Sequence, residues 1–78
     1  MEKNGFLNIT LSELLNALDA RAIVSIFENA GAGSSDIKNF KRVYELLSDK
    51  DFIKRYGNRD VIGLLGMINV TNILVEEA

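Results

Sequence analysis

The side chains able to do chemistry are few, and the missing ones say most. The chain has no histidine and no cysteine, so the commonest general base and the strongest nucleophile are absent. Carboxylates remain. Asp49 and Asp51 are two positions apart, on different faces of an expected helix and beside Lys50, and nothing in the sequence singles either out as a general acid. Glu76 and Glu77 lie near the end of the chain, where fraying is expected. No catalytic residue is assigned and the chain is read as a non-enzyme. A zinc site needs thiolate or imidazole ligands, so neither a metal nor a cofactor is expected.

Gly31-Ala32-Gly33 has the look of a phosphate-binding turn. Dinucleotide loops follow a strand and carry a third glycine, and P-loops close on Gly-Lys-Ser/Thr. The third glycine and the lysine are both missing, so the segment reads as a linker between helices.

The chain is weakly acidic, with a net charge of −2, yet seven of its nine basic residues fall between Lys38 and Arg59. Tyr44, Phe52 and Tyr56 are interleaved with Lys41, Arg42, Lys54 and Arg55, as stacking platforms for a single-stranded nucleic acid would be. Five acidic residues (Asp36, Glu45, Asp49, Asp51 and Asp60) dilute that stretch, and the aromatics fit a buried helical stripe. Nucleic-acid contact through Lys41, Arg42, Lys54 and Arg55 is therefore the alternative reading. A helix-turn-helix reader turning at Gly57-Asn58 would offer Val61, Ile62, Gly63, Leu64 and Leu65 to the bases, where polar side chains are needed. Asn8-Ile9-Thr10 and Asn69-Val70-Thr71 match the glycosylation pattern, which matters only in a secreted protein.

The elements that would position these residues read as helical. Thr10 and Glu13 form a capping box. Leu11, Leu15, Leu18, Ala22, Ile26 and Ala30 then recur at helical spacing up to Gly31. Ser34 or Ser35 would cap a second helix carrying Ile37, Phe40, Val43, Tyr44 and Leu47 inward. Ser48 or Asp49 would cap a short third one carrying Phe52, Ile53 and Tyr56, ending at Gly57. Asp60 would cap the last. Residues Val61 to Val75 carry no charge, and a helix apolar on all sides must be buried in a core or against another chain. At fifteen residues, with Asn69, Thr71 and Asn72 inside it, the segment is too short and polar for a membrane span.

The expected fold is thus all-α, a single domain over residues 1–78 built as a bundle of three to four helices. An α+β alternative stays open, because Ile68–Val75 is rich in β-branched residues and Leu7, Ile9 and Leu11 alternate as a strand would. In that alternative the N- and C-terminal strands pair.

A chain of 78 residues buries only roughly 60% of the surface its unfolded form exposes. With no disulfide or metal to staple it, association is the remaining source of stability. The expected function is a protein–protein interaction module, acting as a homo-oligomer or as a small subunit of a larger assembly. The expected interface is Gly63, Leu64, Gly66, Met67, Val70, Thr71 and Leu74, with Gly63 and Gly66 on one helix face allowing close backbone approach. No membrane partner is expected. The start Met1-Glu2-Lys3-Asn4-Gly5 lacks the apolar core of a signal peptide, and the lack of cysteine suits a reducing compartment, so the expected location is cytoplasmic.

Overall fold

The computed structural model describes residues 9–30 and 33–76, and it corrects the all-α expectation. The fold is α+β. A four-stranded mixed sheet carries three short helices, in the chain order α1 (Leu11–Ala17), β1 (Ile23–Ala30), β2 (Gly33–Arg42), α2 (Val43–Ser48), α3 (Lys50–Tyr56), β3 (Val61–Gly66) and β4 (Thr71–Val75). The strands lie in the order β2-β1-β4-β3. β1 runs antiparallel to β2 and parallel to β4, and β4 is antiparallel to β3.

The first helix begins where the capping box places it. The Glu13 N–H donates to Thr10 Oγ1 at 3.2 Å, and the Thr10 N–H donates to Glu13 Oε1 at 2.9 Å. It stops far earlier than the periodicity implies. The Asp19 carboxylate accepts from the Arg21 N–H and the Asp19 carbonyl from the Ala22 N–H, both at 2.9 Å. This aspartate turn offers the backbone partners that a continuing helix would have used. Past it, Ile23, Val24, Ile26 and Phe27 are β-branched or aromatic and settle as a strand.

The second expected helix is replaced in the same way, by β2 up to Arg42 and by α2 after it. The expected linker is overturned at its described end, since Gly33, Ser34 and Ser35 belong to β2; Gly31 and Ala32 lie outside the described residues. The third helix is as expected. The Asp49 side chain accepts from the Phe52 N–H at 3.1 Å, and Gly57 is the C-cap.

The apolar C-terminal third is a β-hairpin rather than a helix. Met67 and Val70 exchange backbone hydrogen bonds around Ile68-Asn69, which closes β3 onto β4. Asp60 caps no helix; it bridges antiparallel to Thr10, and its carbonyl accepts from the Glu76 N–H at 3.0 Å. The α+β alternative comes nearer, but β4 pairs with β1 and β3, not with the N-terminal segment. Leu7 lies outside the described residues.

One face of the sheet meets the helices. Val24, Ile26, Val61, Ile73 and Val75 from the strands pack with Leu11, Leu14, Leu15, Val43, Leu46 and Phe52 from the helices. Strand alternation sends Ser25, Phe27, Asn72 and Leu74 to the opposite face.

Candidate interaction site

The two edges of the sheet differ in chemistry. A free edge presents unpaired N–H and C=O groups to any passing strand, and proteins blunt it with charge, bulges and distortion. β2 is blunted in all three ways. It carries Asp36, Lys38, Lys41 and Arg42, and its pairing with β1 is interrupted twice. Phe40 adopts a φ of 54°, the left-handed region that bulky residues rarely enter.

Among the described residues, β3 has none of this protection over its second half. Its irregularity lies at the start, between Val61 and Gly63. There the outer side is also covered: the Val61 N–H donates to the Ile9 carbonyl and the Leu11 N–H to the Arg59 carbonyl, both at 2.9 Å. Beyond that point the strand reads Leu64-Leu65-Gly66 and runs into Met67-Ile68 without a charge. Leu64 is 44% exposed, Leu65 61%, Met67 62% and Ile68 90%.

The direction of the free backbone groups follows from the ladder. In an antiparallel pair, residues that exchange two hydrogen bonds alternate with residues that exchange none. Met67–Val70 is an exchanging pair. Stepping back along the register, Gly66–Thr71 is not, Leu65–Asn72 is, and Leu64–Ile73 is not. The N–H and C=O groups of Leu64 and Gly66 therefore point away from β4, and among the described residues no backbone group meets them.

The expected interface residues thus share one hairpin, though not one helix face. Leu64, Gly66 and Met67 are exposed, whereas Gly63, Val70, Thr71 and Leu74 are half-buried. Gly63 and Gly66 lie on opposite faces of the sheet, because their partners Leu74 and Thr71 do. A Cβ on Gly63 would stand 3.2 Å from Leu74 Cβ, while one on Gly66 would meet nothing within 4 Å. Helical spacing passes over Leu65 and Ile68, which are more exposed than most of the residues it selects. The lack of charge and the β-branched run at residues 68–75 are the signals that point to them.

The basic residues separate into two groups. Lys54 and Arg55 line an open depression of about 860 Å³ with Lys38, and Asp49 and Asp51 line it too. Lys41 and Arg42 sit at the end of β2 outside that lining, and Arg42 Nη1 donates to the Arg21 carbonyl at 2.8 Å. Of the interleaved aromatics, Phe52 is buried and Tyr56 half-buried, the two rings lying 5.4 Å apart. Tyr44 is exposed and leaves the expected buried stripe, as does Phe40.

Among the described residues there is no cluster of three or more metal-ligating side chains, and no helix is long and apolar enough to cross a membrane. Comparison with protein-family models, with characterised proteins and with solved structures found no match to this chain.

Proposed function

We propose that this chain is a non-enzymatic interaction module of the cytoplasm whose working surface is the tip and outer edge of the β3–β4 hairpin. One observation carries the reading: four large apolar side chains, Leu64, Leu65, Met67 and Ile68, are exposed in succession on an uncharged edge. Scattered apolar residues are ordinary on a protein surface, whereas contiguous ones mark association sites. Burying them at about 25 cal/mol per Å² of apolar area favours a complex, and the outward-pointing backbone groups of Leu64 and Gly66, which no backbone group meets among the described residues, supply direction. The other expected interface residues serve as the hairpin's frame.

Sedimentation velocity on the full chain tests this reading. The unmodified protein should self-associate as concentration rises, or form a complex when its partner is present, and Leu65→Asp/Ile68→Asp should not. An unmodified chain and a double variant that bind alike would defeat it. Nucleic-acid contact is the weaker reading, because Asp49 and Asp51 share the depression with Lys54 and Arg55 and would repel phosphates there.

A further inference from the structure

No further inference is drawn: the strongest candidate, the surface patch on β2 where the exposed Phe40 is held at a positive φ beside Lys41 and Arg42, carries nothing, because nothing in the structure shows what covers it.

Discussion

The buried hydroxyl of Ser25 accepts a hydrogen bond from the Phe40 backbone N–H at 3.0 Å, across fifteen positions of sequence. It holds Phe40 at a φ of 54°, with the residue 69% exposed. Such a conformation in a bulky residue costs on the order of 1–3 kcal/mol, and the contact pins β2 to β1 where their ladder is irregular. Ser25→Ala should destabilise the protein by about 1 kcal/mol, the usual consequence of leaving a backbone donor unsatisfied. Phe40→Gly should offset a similar amount by removing the side chain that resists that φ. Urea denaturation of both single variants checks the pair, and an unchanged midpoint in Ser25→Ala would speak against the link.

A second relationship joins the helix-facing side of the sheet to the loop after α3. Arg59 Nη1 lies 3.2 Å from Glu28 Oε1, and the guanidinium sits 4.5 Å over the Tyr56 ring. Both charged side chains are largely buried, at 14% and 24% exposure. Exposed pairs contribute roughly 0–1 kcal/mol. This one should lie near the top of that range, and Glu28→Gln should cost about 1 kcal/mol. Substituting both Glu28 and Tyr56 and measuring each alone separates the ion pair from the ring contact.

Gly57 is the one glycine, among the described residues, at which a side chain would collide with the backbone. A Cβ there would stand 2.5 Å from the Ile53 carbonyl oxygen. That oxygen accepts from the Gly57 N–H, and the Gly57 carbonyl accepts from the Ser12 N–H, which ties α3 to α1. Gly57→Ala should cost about 1–3 kcal/mol, the range for forcing atoms into a packed site. Gly66→Ala, in open space, should cost far less. Thermal melts of the two variants side by side make the comparison.

These contacts also explain which parts of the fold can be read from residue types. The Thr10–Glu13 box and the Asp49 cap are local: each helix start is set by a side chain that accepts from the backbone N–H three residues on, and both are visible in the sequence. The segment 18–30 is not, because Leu18, Ala22, Ile26 and Ala30 satisfy helical spacing as well as they fit a strand. The deciding feature is the turn at Asp19, whose side chain captures the backbone two residues on. Over 61–75 the lack of charge marks a surface in need of cover, but an apolar run has no period to distinguish helix from strand. The helical choice then groups Gly63 with Gly66 and passes over Leu65 and Ile68.

The salt response separates the two functional readings. Apolar association at the hairpin should hold or strengthen between low and moderate salt, whereas binding through Lys41, Arg42, Lys54 and Arg55 would fall steeply as counterions compete. Titration of a fluorescent single-stranded oligonucleotide at low salt should show no binding. Tight binding abolished by neutralising those four residues would favour the alternative.

The most direct measurement is a dilution series of backbone amide NMR spectra on the full chain. An interface at the β3–β4 hairpin should give concentration-dependent shifts confined to residues 62–72, largest at Leu64, Leu65 and Gly66. Shifts centred instead on β2 or α3, or none at any concentration together with none on adding a binding protein, would contradict it.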